Sequence, residues 1–409
     1  MDETYERVLR EIKKPNRDHA RRLMQCLVVA VRPLRVEELA EVLAVDFDDA
    51  EGIPKLKPGW RWEDQEQALL TSCSSLIVIV GTGDSRVVQF SHFSVKEFLT
   101  SARLTTSSQD VSHYHIVLGP AHTIMAQACL SILLRLDHVV EDSSVEEHSP
   151  FASYAAEYWV GHAQFEDVAS RIKGMEDLFD PDKPYFVAWC NLYDVDTKPS
   201  STSVFFFFTL NSRSSAGTPL YYAALCGFSS LVEQLIVKYP LDVDAIGGYY
   251  RIPAVAALAG RHFQLAQVLH RAGSPVGLQG CMGNSPVHSA AYHGDVEMVQ
   301  VLLDYGIDIN TRDMHGWTPL YYTPNSYSND PRAARLLLDR GADPNLEALD
   351  GRTPLHEATL YGRIEIVRSL IEHGASVEVK DNDGETPLEI ASRRRHDEIV
   401  KLLIEHGAS

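Results

Sequence analysis

The chain carries seventeen histidines, six cysteines and several hydroxyl clusters, the side chains from which metal sites and nucleophilic centres are built. A metal site needs such residues grouped at a recognisable spacing, and a nucleophile needs a base within reach. The spacing here supplies neither. Cys26, Cys73, Cys129, Cys190, Cys226 and Cys281 stand singly in apolar or helical contexts. With no CxxC pair and no Cys/His cluster, they predict reduced, buried thiols rather than disulfides or zinc ligands. Ser72, Ser74 and Ser75 flank Cys73 without a His/Asp pattern, and His113 and His115 flank a tyrosine in a serine-rich stretch. There is no GxxxxGK[ST] phosphate loop, no acidic metal-binding strand and no GxSxG nucleophile elbow. The expectation is a protein that is not an enzyme, with no cofactor, no metal and no small-molecule substrate.

Four of the histidines recur in register, and they lead to the elements that hold them. His288 and His356 occupy the fourth position of a Thr-Pro-Leu-His-like motif, while His373 and His406 sit in Glu-His-Gly turns. The motif's proline recurs at Pro219, Pro253, Pro286, Pro319, Pro354 and Pro387, with spacings of 34, 33, 33, 35 and 33. That is the period of ankyrin repeats. In the clearest unit, Thr353 stands at a helix N-cap and Pro354 at the first helical position, where its missing N–H costs nothing. Leu355 and Ala358 face inward, Gly362 ends the first helix, and Ile364, Ile366, Val367 and Leu370 form the apolar face of the second. Two repeats depart from the pattern. In the second, Arg261 replaces the helix-ending glycine and Ile252 the opening threonine, which predicts a less regular unit. In the fourth, Pro324 falls inside the first helix, which predicts an early end and a bulging loop over residues 325–330.

Upstream of the repeats, residues 16–31, 36–45 and 65–74 read as three helices. Residues 76–80 and 86–91 form a hairpin about a Gly-Thr-Gly-Asp-Ser turn, and residues 94–101 a last helix. Three helices followed by a hairpin describe a winged helix. The third helix and its approach, EDQEQALLTSCSSL, are acidic and lack the arginines that read bases or hold phosphates. The formal net charge of −19 likewise repels nucleic acid and anionic membrane surfaces. Arg393, Arg394 and Arg395 form the most obvious basic run and read as a solvated surface. The N-terminus has no apolar signal core and the longest apolar runs are too short to span a bilayer, so a cytoplasmic protein is expected.

Residues 2–9 (DETYERVL), 32–47 (RPLRVEELAEVLAVDF), 69–80 (LLTSCSSLIVIV) and 90–99 (FSHFSVKEFL) carry a resemblance. They are similar to the segment that follows the NACHT nucleotide-binding module in fungal NACHT–ankyrin proteins of the STAND class. The same winged-helix type is described in relatives of GPI inositol-deacylase. The resemblance extends through residues 151–163 (FASYAAEYWVGHA), a helical spacer, into residues 218–228 (TPLYYAALCGF). It implies intracellular signalling or non-self recognition as the setting, with the ATPase module itself absent here.

The expected fold is therefore mainly α: a winged-helix domain over residues 1–107, a helical spacer over 108–200 and a solenoid of six ankyrin repeats over 201–409. Residues 205–208, four phenylalanines, are expected to cover the open end of the first repeat. A protein partner is expected on the concave face. The residues ahead of each motif and at the end of each first helix line that face: Tyr292, His293, Met314, His315, Trp317, Leu349, Arg352, Leu360, Tyr361, Asn382, Asp383 and Glu385. They are expected to be dispensable for folding, with packing between adjacent turns as the alternative for Trp317, and Trp317, Tyr361 and Arg352 are of the types that dominate binding hot spots.

Overall fold

The computed structural model describes residues 2–47, 53–57, 64–73, 75–136, 149–193, 195, 217–248, 250–277, 285–325 and 330–409. Ser74, Cys281, the four phenylalanines at 205–208 and loop residues 326–329 lie outside them. The chain divides into two compact units, residues 1–195 and 196–409.

The first unit opens with α1 (Asp2–Glu11), α2 (Arg17–Val29), β1 (Leu34–Arg35) and α3 (Val36–Leu43). A short hairpin follows, β2 (Val45–Asp46) paired with β3 (Lys55–Leu56). Next come α4 (Gln65–Cys73), β4 (Ile77–Val80), β5 (Val87–Phe90) and α5 (Phe93–Thr100). The three helices α2, α3 and α4 pack on one another through Leu23, Met24, Leu39, Val42 and Leu69, all buried. β1, β5 and β4 form an antiparallel sheet in that order, with Leu34 opposite Val88 and Ile77 opposite Phe90. Burial alternates along β4, Ile77 inward and Val78 and Val80 toward water, as a half-buried strand requires. Helix, strand, two helices and a hairpin closing onto that strand make the wing.

The unit continues with α6 (Gln109–Ser112), α7 (Leu118–Leu133), α8 (Ala152–Ala163), α9 (Met175–Leu178) and α10 (Tyr185–Leu192). α7 is apolar nearly all round because it is enclosed, packing against α2, α3, α8 and α10. Trp159 and Trp189 meet edge to face at 5.3 Å beside Phe179, and the Trp189 indole N–H donates to the Ala156 carbonyl at 3.0 Å. Buried Glu41 of α3 accepts from the Phe151 backbone N–H at 2.9 Å and from the Ser149 hydroxyl, satisfying donors at the start of α8. The tightest polar network binds α7, α8 and the end of α2. The Nδ1 atoms of His122 and His162 lie 2.8 Å apart, His162 Nε2 is 3.0 Å from the Tyr154 hydroxyl, and that hydroxyl accepts from the Val31 N–H.

The second unit is six helix pairs: α11 (Pro219–Leu225) with α12 (Ser229–Lys238), α13 (Pro253–Ala259) with α14 (Phe263–Arg271), and α15 (Pro286–His293) with α16 (Val296–Asp304). The others are α17 (Pro319–Tyr322) with α18 (Arg332–Asp339), α19 (Pro354–Leu360) with α20 (Ile364–Glu372), and α21 (Pro387–Arg394) with α22 (Asp397–Glu405). First helices pack side by side through the row α15, α17, α19, α21, and second helices through α16, α18, α20, α22. Each first helix starts with proline, and Thr218, Thr318 and Thr386 accept the backbone N–H three residues on. Leu355 and Leu370 are fully buried.

The second repeat is regular, against expectation. Its helices match their neighbours in length, and Arg261 takes the left-handed conformation (φ 62°) that glycine adopts in other units. Its guanidinium is held by Asp295 and Glu297 of the next repeat, at 2.5 and 2.7 Å, which offsets the backbone cost. In the fourth repeat α17 has four residues and tightens to a 3₁₀ turn over Thr323–Asn325, as the interior proline demands.

Candidate protein-binding surface

Among the described residues, the turns that precede α17, α19 and α21 are each closed by a backbone hydrogen bond spanning four residues. Asp313 N–H donates to the Trp317 carbonyl, Ala348 to that of Arg352 and Asp381 to that of Glu385. In the first and third of these turns the aspartate Oδ1 accepts two further backbone amides: His315 and Trp317 on Asp313, Asp383 and Glu385 on Asp381. Burial works against the ionised Asp381, but those amides and Arg352 outweigh it and hold its carboxyl below the usual range. The turns also stack on one another. Leu349 N–H donates to His315 O and Asn382 N–H to Asp350 O, both at 3.0 Å. Gly351 (φ 77°) sits where a Cβ would fall 2.9 Å from the Asn382 amide nitrogen, so the contact needs glycine.

The conserved geometry from turn to turn fixes what the motif histidines do. His288 Nδ1 accepts the Ser285 N–H at 3.0 Å while its Nε2 lies 3.1 Å from the carbonyls of Thr311 and Trp317. His356 Nδ1 accepts the Thr353 N–H at 3.1 Å, and its Nε2 faces the Glu385 carbonyl at 3.3 Å. Each imidazole thus bridges a helix N-terminus to the following turn. Burial holds both below the ordinary histidine pKa, partly countered by the carbonyls they face.

Stacking places the expected surface residues in columns. Met314, Leu349 and Asn382 share the turn tips, and Met314 and Leu349 are 57% and 73% exposed. His315 and Asp383 are exposed beside them. At the ends of the first helices, Tyr361 is half-exposed while Tyr292, His293 and Leu360 are partly covered; His293 Nδ1 is 2.9 Å from the Ser289 carbonyl.

The third column differs from its expected dispensability. Trp317 stacks on Tyr321 (5.3 Å, 13°) and meets Tyr322 edge-on at 5.4 Å, with His315 against its other side. The Tyr322 hydroxyl in turn donates to Asp313 Oδ2 at 2.8 Å. Arg352 donates from Nε to Asp381 Oδ2 at 3.2 Å and lies 3.5 Å from Glu357 Oε1. Glu385 pairs with Arg393 at 2.6 Å, and Asn382 donates from its side chain to the Leu349 carbonyl. Arg352 and Asn382 fasten neighbouring turns to each other, while Trp317 and Glu385 tie their own turn to the first helix that follows it. The tips Met314 and Leu349 and the ring of Tyr361 are the large apolar groups on this face that water reaches.

Sequence reasoning passed over Asp313, Asp381, Glu357 and Tyr322, which organise the turns. The signal was present as D-x-x-G-x-T-P at 313–319 and again at 381–387. Glu357 is buried, which raises its carboxyl above the usual range despite the Tyr321 hydroxyl and Arg352. Among the described residues no group of three or more His, Cys, Asp or Glu could hold a metal, and no helix is long and apolar enough to cross a membrane.

With this geometry in place, comparison with known proteins is specific. Residues 5–109 match the GPI inositol-deacylase winged helix domain family, and residues 254–348 and 325–409 match the ankyrin-repeat family. Azaphilone pigments biosynthesis cluster protein L of Monascus ruber is 32% identical over 298 residues, 68% of this chain. The match spans 60% of the Monascus protein's length. Ankyrin repeat and SAM domain-containing protein 6 of Mus musculus is 33% identical over 100 residues, 24% of this chain and 11% of its own. Protein phosphatase 1 regulatory subunit 27 of Homo sapiens is 46% identical over 39 residues, 10% of this chain and 25% of its own. The first unit thus carries a winged helix of the GPI inositol-deacylase type, and the second is an array of ankyrin repeats, modules that bind proteins.

Proposed function

We propose that this chain, a winged helix joined to an ankyrin array, is a non-enzymatic scaffold in intracellular signalling or non-self recognition that holds a protein partner on the turn tips. The observation that carries the reading is the pair of exposed apolar tips, Met314 and Leu349, on turns closed and stacked by backbone hydrogen bonds. A rigid frame presenting unsupported apolar side chains gains nothing in folding and lowers the ordering cost of binding. Tyr361 adds an aromatic group of the hot-spot type on the same face. The partner is a protein, held without nucleic acid, membrane or cofactor, in the cytoplasm. Substituting Leu349→Asp and Tyr361→Ala tests this: capture of the partner should weaken by about 2 kcal/mol or more while the array stays folded. Undiminished capture by the folded double variant contradicts the assignment.

A second reading is favoured by the winged-helix match. In it the chain is the regulatory and sensor part of a NACHT-type nucleotide-dependent switch. An in-frame phosphate loop in the genomic sequence immediately upstream would support this second reading over the first.

A further inference from the structure

We propose that the cleft between α2 and α7 in the first unit binds a small organic phosphate. The cleft has a volume of about 490 Å³, larger than a phosphate group alone and within the range of small-molecule sites. Its polar lining is Arg21, Arg22 and Gln25 of α2 together with Arg171, and one carboxylate, Asp18; Glu166 lies near Arg171, both reaching within 4 Å of the Cβ position at Gly119. Asp18 is largely exposed and lies 3.5 Å from His113 Nε2. Three arginines thus line one small cleft, in a chain whose formal net charge is −19.

Two of the three are uncommitted. Arg21 Nε is buried with no hydrogen-bond acceptor, and neither Arg21 nor Arg171 has an ion pair among the described residues. Arg22 is positioned by stacking over Phe47 at 4.7 Å and reaching the Val45 carbonyl at 3.5 Å. A buried donor without an acceptor destabilises a fold, and the positive potential of arginines gathered in one cleft attracts an oxyanion. Guanidinium forks match the geometry of phosphate oxygens, which accept two parallel N–H bonds from each. The opposite wall is Pro120, Thr123 and Ile124 of α7, and the Thr123 hydroxyl is already spent on the Gly119 carbonyl. That wall offers carbon, so the ligand it fits is a phosphate monoester with an apolar or ring-shaped body. Arginines drawn from residues 21 and 171 leave no linear motif, which is why the cleft is invisible in the sequence.

Phenyl phosphate is a suitable probe, titrated into the full chain by calorimetry at low ionic strength, with inorganic phosphate alongside. The site predicts saturable binding of phenyl phosphate, tighter than inorganic phosphate, weakened roughly tenfold or more in Arg21→Gln and in Arg171→Gln. Arg271→Gln, in the other unit, should bind as the parent does. Arg171 is exposed, so its variant keeps the test informative if Arg21→Gln fails to fold. Co-sedimentation with phosphatidic acid vesicles that the same variants abolish would assign the phosphate to a lipid headgroup; its absence alongside phenyl phosphate binding assigns a free ester. No saturable binding of either at millimolar concentration, or binding that both variants leave intact, overturns the proposal.

Discussion

Replacing Trp317 with alanine separates the parts of the candidate surface that hold the array together from those free to meet a partner. The indole stacks on Tyr321 and meets Tyr322 edge-on, and the residue is partly exposed. Fully buried aromatics cost about 3–5 kcal/mol on truncation, and each ring pair adds roughly 0.5–1.5 kcal/mol within that total. A partly exposed ring with two such contacts should therefore cost about 3 kcal/mol. Its backbone bonds to Asp313 and His288 survive the substitution, so the loss is confined to the side chain. Leu349→Ala, at a tip that is 73% exposed, should stay within about 0.5 kcal/mol. Urea unfolding followed by far-UV circular dichroism measures both, and hydrogen exchange should show Trp317→Ala opening the third, fourth and fifth repeats first. A Trp317→Ala protein as stable as the parent would refute the view that Trp317 helps hold the fourth repeat together.

Leu370→Ala empties a fully buried site on α20 and should cost about 2–5 kcal/mol, with exchange rising in neighbouring repeats before the winged helix. Equal increases in both units would contradict that independence. In the first unit, burial and then the neighbouring His122 push His162 down to about 4, so it stays neutral in the folded protein until well below its ordinary pKa. The unfolded chain takes up that proton from about pH 6.5 downward, so stability is full above pH 6.5 and is lost as the pH falls toward 4. The slope attributable to this residue approaches about 1.4 kcal/mol per pH unit, and denaturant midpoints measured across that window should flatten in His162→Phe. An unchanged pH profile in that variant would locate the dependence elsewhere.

The repeat period was legible because each unit needs the same capped helix start, and proline, threonine and histidine at fixed offsets announce it. The winged helix was legible from the order of its periods, and α4 and the hairpin fall within a residue or two of expectation. What the sequence hid lay in long-range pairing. Arg261 read as a defect because its compensation comes from Asp295 and Glu297, more than thirty positions away. Arg352 read as free, and Trp317 stayed open between binding and packing, because position alone does not show that Asp381 and Tyr321 receive them. Hot-spot residue types can be spent on the fold itself, and exposure distinguishes the two uses.

A protein partner seated on the turn tips lies within covalent reach of residue 349. A photoreactive amino acid at Leu349, with Lys401 on the second helix of the last repeat as the comparison position, would report it. A discrete covalent adduct with a single protein is expected from Leu349 and none from Lys401, lost when Tyr361→Ala is introduced. Adducts formed equally from both positions, or from Lys401 alone, would contradict it.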